Sequence, residues 1–277
     1  MDYALAMGSP VPSVVELSFA VEEPRHRWLL EERDVPETPL HDAVIDLLKL
    51  VLRRWVDAHG RSALVARNLG CRWDPEDARV GTDPDLVLVE PHPPEGEALR
   101  TLRVWEGGHP PPRIAVEVVS ETEPEKDYVE APLRCARLGA RELWVFDPTL
   151  AGPDETGGPF SLQIWRLDRS GERARMDRVY AGPGPGFSEE LGAWLVVTDR
   201  GARLRIADDR TGRALWPTDF EAERDRSRAA VESERDRSRA AVESERDRSR
   251  AAVESERARA ARLADALREL GVDPDTL

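Results

Sequence analysis

The stretch PRIAVEVVSETEPEKDY, residues 112–128, decides how this chain folds, because it joins an apolar strand to the start of a helix. Residues 114–119 form an apolar run that is typical of a strand buried on both faces. Glu117 interrupts that run with a carboxylate. Burying even a neutral polar group without a partner costs on the order of 2–7 kcal/mol. The sequence therefore predicts a compensating partner for Glu117, either a divalent cation or a buried arginine such as Arg134 or Arg137.

A second acidic residue, Asp85, stands at the start of the preceding predicted strand, PDLVLVE. If the two strands are neighbours, the carboxylates of Asp85 and Glu117 converge on one cation. Mg²⁺ is typically held by one or two carboxylates and keeps several of its waters. The alternative is that Asp85, which follows a proline, is only a turn residue at the strand entry.

Lys126 is the third candidate, because it opens the helix that follows the Glu117 strand. The chain has 40 basic residues and only two of them are lysines, so a lysine at this position is informative. An ammonium group there could stabilise the charge of a phosphate, which an arginine does not imitate as a point charge. The alternative is an ordinary exposed residue at a helix start.

The remaining pattern predicts an α/β domain. Thr38, Pro39 and Gly60 are the start and stop signals of a first helix. A second helix covers roughly residues 125–138 and ends at Gly139. Strands are predicted at residues 62–73, 84–90, 113–121, 142–148 and 160–168, a hairpin at 194–208 turning at 199–201, and a long loop at 91–112. We expect a mixed sheet with helices on its faces.

The tail is a separate object, because RDRSRAAVESE occurs three times in register, from Arg224, Arg235 and Arg246. Thr218 and Glu221 form a capping box at its start, and Gly271 closes it with Val272 near Leu267. The valine of each repeat drifts by only about 20° around a helix. The tail is thus a charged helix of about 50 residues that either forms a coiled coil with other copies or stays solitary.

These boundaries divide the chain into four segments. They are an irregular N-terminal segment (1–37), an α/β domain (38–217), the repeat helix or coiled coil (218–271) and a short C-terminal tail (272–277). The repeat helix holds no catalytic or binding residues and is a spacer or an assembly element.

Composition limits the function classes. Two distant cysteines without metal-ligand spacing fit a reducing compartment. There is no secretory signal and no apolar run long enough for a membrane helix, so we expect a soluble, cytoplasmic protein. The net charge is −14, of which −12 falls on residues 1–220. That balance opposes loose binding to a phosphate backbone.

Several segments carry a resemblance to a known family. Pro84–Asp85, residues 117–120 with the lysine that follows, and GARELWVFDP (139–148) resemble the Uma-two family of restriction endonucleases, in the PD-(D/E)XK nuclease superfamily. The resemblance covers roughly residues 25–215. It implies a restriction-endonuclease-like core and Mg²⁺-dependent (or Mn²⁺-dependent) hydrolysis of phosphodiester bonds in DNA. It also implies Asp85 and Glu117 as metal ligands and Lys126 as a catalytic residue.

The chain departs from the pattern of that superfamily at its lysine. The position two residues after the acid holds Val119, and the later helical position used in the family holds Ala131. Lys126 would therefore act from one helical turn earlier. The alternative function is a catalytically inactive nuclease fold that binds or scaffolds and self-assembles through the C-terminal helix.

Two further residues are candidates for supporting roles. His41 lies on the inner side of the first helix and could approach the site, and Ser120 could hydrogen-bond Glu117. Glu142 and Asp147 are interpreted as structural residues at the ends of a strand.

Overall fold

A computed structural model of the chain describes residues 38–269. The predictions for residues 1–37, and the helix end at Gly271 with its Val272 contact, lie outside these residues. Three α-helices are described: α1 (Pro39–Ala58), α2 (Ala131–Leu138) and α3 (Asp219–Glu269). The strands are β1 (Leu64–Arg67), β2 (Gly70–Arg72), β3 (Gly81–Thr82), β4 (Leu86–Val89), β5 (Thr101–Arg103), β6 (Ile114–Val118), β7 (Glu142–Phe146), β8 (Leu162–Asp168), β9 (Arg175–Gly182), β10 (Gly186–Ser188), β11 (Ala193–Thr198) and β12 (Arg203–Ala207).

A six-stranded mixed sheet forms the centre of the fold, in the order β1-β4-β6-β7-β8-β9. Within the described strands of this sheet, only β6 and β7 run parallel, and the other neighbours are antiparallel. Every residue of β6 is buried, as its apolar sequence predicts. Two three-stranded sheets accompany it, β10-β11-β12 and β3-β2-β5.

Two hydrophobic cores lie on opposite faces of the central sheet. Alternate residues of β6 serve each face: Val116 packs with α1, β11 and β12, whereas Ala115 packs with α2 and the sheet that contains β2. Alternation of side chains along a strand requires this division. The predicted α/β class, a mixed sheet with helices on its faces and a long C-terminal helix, is confirmed.

The start of the second helix differs from the prediction of one regular helix over residues 125–138. The chain first makes a π-helical turn, Lys126–Glu130, and only then enters α2. Gly139 ends the helix in the left-handed conformation (φ 84°), where a glycine is favoured. Single π turns inside helices frequently occur at functional sites.

Two predictions between α1 and β6 were wrong. The segment 62–73 is two strands rather than one, because Asn68 takes a positive φ of 49° and turns the chain between β1 and β2. The loop at 91–112 contains β5, which pairs in parallel with β2. β5 has only three residues and is surrounded by prolines and charged residues, so the sequence gives no recognisable strand pattern there.

The C-terminal helix begins as predicted. The Glu221 carboxylate accepts the Thr218 N–H at 2.8 Å, and the Glu221 N–H donates to the Thr218 hydroxyl at 3.2 Å. Arg205, on β12, binds both carboxylate oxygens of Glu221 and so joins the helix start to the domain. Within residues 38–269, no helix combines the length and the apolar character needed to cross a membrane.

Candidate active site

The ends of two neighbouring strands position Asp85 and Glu117. β4 and β6 pair in antiparallel register with Leu86 opposite Val116, so the next pair along is Asp85 and Glu117. Directly opposed residues of an antiparallel pair have Cβ atoms about 4.5–5.5 Å apart. The Asp85 Oδ2 atom also accepts the Val118 N–H at 2.7 Å. The prediction that the strands of the two acids are neighbours is therefore confirmed.

Glu117 is buried with one carboxylate oxygen lacking a partner. Its exposed fraction is 1%, and among the described residues no group hydrogen-bonds its Oε2 atom. Burial, and then the charges of Asp85 and Asp127, raise the pKa of Glu117 well above its ordinary value, although Lys126 opposes them. The arginine alternative is not realised by Arg134, which pairs with Glu130 on the helix surface.

Asp127 is a third buried carboxylate, which the sequence analysis did not identify. It lies on the π-helical turn, and its Oδ2 atom accepts the Ser120 N–H at 3.4 Å. Burial raises the pKa of Asp127 to about 7, with Lys126 lowering it and Asp85 raising it. A sequence signal existed, because Asp127 precedes the buried Ala131 and Cys135 at spacings of four and eight residues.

Lys126 is exposed and lies within electrostatic reach of all three acids. Desolvation lowers the pKa of its ammonium group, but the charges of Glu117, Asp127 and Asp85 outweigh that effect and raise the pKa. Lys126 therefore stays protonated at neutral pH and supplies the positive charge at the rim of the cluster.

His41 and Ser120 reach this cluster by different routes. The His41 Nε2 atom lies 2.9 Å from the Val118 carbonyl oxygen and 3.3 Å from Asp85 Oδ2, so α1 contacts both strands. Ser120 contributes its backbone N–H to Asp127, whereas its hydroxyl pairs with Thr122 at 2.8 Å. The expected hydroxyl contact to Glu117 is thus replaced by a turn within the loop itself.

Two other buried acids are structural, as predicted. Glu142 accepts the indole N–H of Trp144 at 2.9 Å and the hydroxyl of Ser188. Asp147 accepts the hydroxyl of Tyr128 at 2.9 Å and the N–H of Gly152 at 2.8 Å. Their oxygens are occupied by protein donors, in contrast to Glu117.

The donor set at the strand ends suits a hard divalent cation. It offers carboxylate oxygens, and one of them is buried without a partner, which would be costly unless a cation or a proton binds there. Within residues 38–269 no three His, Cys, Asp or Glu side chains converge as a complete protein-only metal site. A cation here would therefore be held by one or two carboxylates and keep several waters, as is usual for Mg²⁺.

The sequence matches a family model over part of its length. Residues 22–152 match the Uma2 family, described as "Putative restriction endonuclease". The resemblance to the Uma2 family is confirmed. The matched Uma2 region contains all three buried acids and Lys126, together with α1 and the strands from β1 to β7. It ends before β8, so the β extension and α3 lie beyond it.

Among solved structures the chain is similar to the "Crystal structure of a putative nuclease belonging to DUF820 from Anabaena variabilis ATCC 29413". The identity is 17% and the TM-score 0.36, over 56% of this chain and 75% of that chain. No curated protein gives a match.

Proposed function

We propose that this chain is an endonuclease that hydrolyses phosphodiester bonds of DNA with the help of Mg²⁺ or Mn²⁺. The observation that carries the proposal is the unpartnered oxygen of buried Glu117, directly across the strand pair from Asp85. The match to a restriction endonuclease family supports the reaction class.

Each residue of the cluster has a role in this proposal. Asp85 and Glu117 hold the cation, which when bound supplies a Lewis acid that polarises the phosphate and lowers the pKa of water. The Val118 N–H and His41 fix the orientation of the Asp85 carboxylate. Lys126 faces the phosphate and stabilises the negative charge that develops in the transition state. The charges of Glu117, Asp127 and Asp85 raise the pKa of Lys126 and keep its ammonium protonated.

The test is cleavage of supercoiled plasmid in Mn²⁺, together with calorimetric titration of Mg²⁺ and Mn²⁺. We expect wild type to bind the cation and nick the plasmid, and Glu117→Gln to lose both. Glu121→Gln is the matched control, because Glu121 is an exposed acid three residues past β6. If Glu117→Gln cleaves the plasmid as fast as wild type does, the proposed role of this site in catalysis is contradicted.

A second candidate function is the inactive binding or scaffolding module. It is favoured by Val119 and Ala131, which occupy the two family lysine positions and are both buried in the core on the α2 side of the sheet. In that case the cation still binds in the calorimeter, but the plasmid stays intact in every metal. The two assays together therefore separate the two candidates.

The proposal extends to assembly and compartment. The three repeat valines of α3 are half exposed, at 53%, 61% and 50%, on a helix that is exposed along almost its whole length, and we propose that they pair with a second copy. Cys71 and Cys135 are both free and buried, which fits a reducing compartment such as the cytoplasm.

A further inference from the structure

A groove beside α2 carries positive charge in a chain whose net charge is −14. Its volume is about 1170 Å³, and its walls come from the π-helical turn, α2, β8, β9 and the loop before β9. Among residues 38–269, no acidic side chain lines it. Five arginines do: Arg134, Arg137, Arg173, Arg175 and Arg178.

Three of these arginines carry uncompensated charge. Arg134 pairs with Glu130. Arg175 pairs with Asp168 on β8 and with Asp177 on its own strand, β9. Arg137, Arg173 and Arg178 are exposed, and none has a carboxylate partner among the contacts of residues 38–269. Guanidinium groups that converge without acids match an anionic ligand, and they bind phosphate oxygens well.

The floor of the groove is apolar and aromatic. Trp73 and Trp165 line it, and Leu133 and Val129 present side chains that are 65% and 45% exposed. The Arg178 guanidinium stacks over the Trp165 ring at 5.5 Å. Positive grooves with aromatic surfaces are the usual arrangement for single-stranded nucleic acid, because the bases stack while the phosphates meet cations.

The groove and the candidate active site share the π-helical turn. Tyr128 and Val129 line the groove, and they directly follow Lys126 and Asp127 in the same π-helical turn. A strand held in the groove would therefore contact the same turn that carries Lys126 and Asp127. The volume also exceeds the roughly 300–1,000 Å³ of small-molecule pockets, which favours an extended ligand.

We infer that this groove binds a segment of single-stranded nucleic acid, with arginines on its phosphates and the tryptophans and Leu133 on its bases. In a duplex the bases face each other, so the apolar floor would have nothing to contact. The inference rests on the proposed nuclease function only for the fate of the bound strand, since binding itself needs no metal.

The test is fluorescence anisotropy of a labelled 20-nucleotide single strand with full-length Glu117→Gln protein in EDTA, so that nothing is cleaved. Adding Arg137→Glu and Arg173→Glu should weaken binding at least tenfold. The slope of log K against log salt should become about 1.4 shallower, since two phosphate contacts are lost. Arg100→Glu with Arg213→Glu is the control, because both are exposed and change the net charge equally. Binding of the control should stay within twofold.

Three results would overturn the inference. The groove variant could bind as tightly as the control variant, a 20-base-pair duplex could bind as tightly as the single strand, or polyglutamate could compete as well as the unlabelled strand. The last result would identify an acidic peptide as the occupant. Groove-dependent binding, with neither the plasmid nor the single strand cleaved by wild type in Mn²⁺, would leave the inference standing and remove the nuclease. Cleavage by a protein whose groove does not bind the single strand would support the nuclease and overturn the inference about the groove.

Discussion

The buried acids of the candidate site hold protons more tightly than free carboxyl groups do. Burial raises the pKa of Asp127 to about 7 and that of Glu117 well above its ordinary value. At neutral pH the metal-free cluster is therefore partly protonated. A cation has to displace those protons, so its affinity should increase with pH.

The first prediction concerns stability against pH in EDTA. The folded pKa of Asp127 lies above its unfolded value, so the folded state binds more protons and the free energy of unfolding falls as pH rises towards 7. Between pH 5.5 and 8, deprotonation of Asp127 should lower the free energy of unfolding by about 2 kcal/mol, at about 1.36 kcal/mol for each pH unit below its folded pKa.

Urea denaturation at the two pH values measures it. In Asp127→Asn the free energy of unfolding should fall by about 2 kcal/mol less between the two pH values than it does in wild type. In the exposed Glu121→Gln variant it should fall as much as in wild type. Mg²⁺ should restore stability at pH 8 more than at pH 5.5. Equal declines in wild type and Asp127→Asn would show that Asp127 does not titrate in this range.

The second prediction concerns the lysines, because the chain offers its own control. Lys126→Met should lower kcat for plasmid cleavage by about 10²–10³-fold, the usual effect of removing one electrostatic group from a site. Lys49→Met, the other lysine, lies on α1 and should leave kcat within twofold. Initial rates in Mn²⁺ measure both, and equal rates for the two variants would remove Lys126 from the mechanism.

At this scale the sequence predicted part of the cluster. A carboxylate inside an apolar strand is conspicuous, and so is an acid at the mouth of the next strand, so Asp85 and Glu117 could be found. Asp127 could not be singled out in the same way, because it sits among acids in a charged segment. Its spacing to Ala131 and Cys135 indicates a buried helix face, but the π-helical turn that carries it has no signal of its own in the sequence.

Among the elements, the π-helical turn is held to the loop after β7 through Tyr128. The Tyr128 hydroxyl donates to Asp147 at 2.9 Å and accepts the Phe160 N–H at 3.0 Å. The turn that carries Lys126 and Asp127 is therefore tied to the loop 148–161. The third prediction is that Tyr128→Phe lowers the free energy of unfolding by about 1–3 kcal/mol, because a buried donor and acceptor lose their partner.

Urea unfolding and amide hydrogen exchange together measure this. The Phe160 amide should lose protection, while the amides of α1 keep theirs. A change in unfolding free energy below about 0.5 kcal/mol, which is within the range of ordinary surface substitutions, would mean that the hydroxyl does not fix the turn.

Elements with strong local signals were predicted and weak ones were not. The first helix has caps and an apolar stripe, and the hairpin of β11 and β12 has a clear turn at residues 199–201. β9 was missed because it is an edge strand with an arginine or aspartate at three of its first four positions. β5 was missed because only pairing with β2 defines three residues as a strand.

For the whole molecule, the long helix predicts self-association. Isolated ion pairs along a helix contribute only about 0.2–0.5 kcal/mol each, so the exposed valine stripe is the surface that would gain most from a partner. The fourth prediction is that the full chain is oligomeric at micromolar concentration. Changing the stripe to asparagine should make it monomeric and less helical. The stripe is Val231, Val242 and Val253.

Sedimentation equilibrium and circular dichroism test this prediction. The control changes to asparagine the serine two residues after each of those valines, on the other side of the helix. The control should remain oligomeric. A wild-type chain that sediments as a monomer while keeping its helicity would show a solitary helix instead.

Net charge described the whole molecule poorly. The balance of −14 argues against binding a phosphate backbone, yet five arginines line one groove, and the part of the chain that the structure describes adds no acid to its lining. The counts alone could not reveal this, because residues from Trp73 to Arg178 meet there only in the folded chain. The argument from overall charge applies to diffuse attraction and not to a local site.

The three identical repeats of α3 make its length adjustable. Each unit adds eleven residues, or about 16.5 Å, and rotates the far end by only about 20°. Relatives with two or five units would therefore reach different distances while presenting almost the same side of the rod. Copy number would then change the distance between the globular domain and the far end of the helix without altering the side that the helix presents.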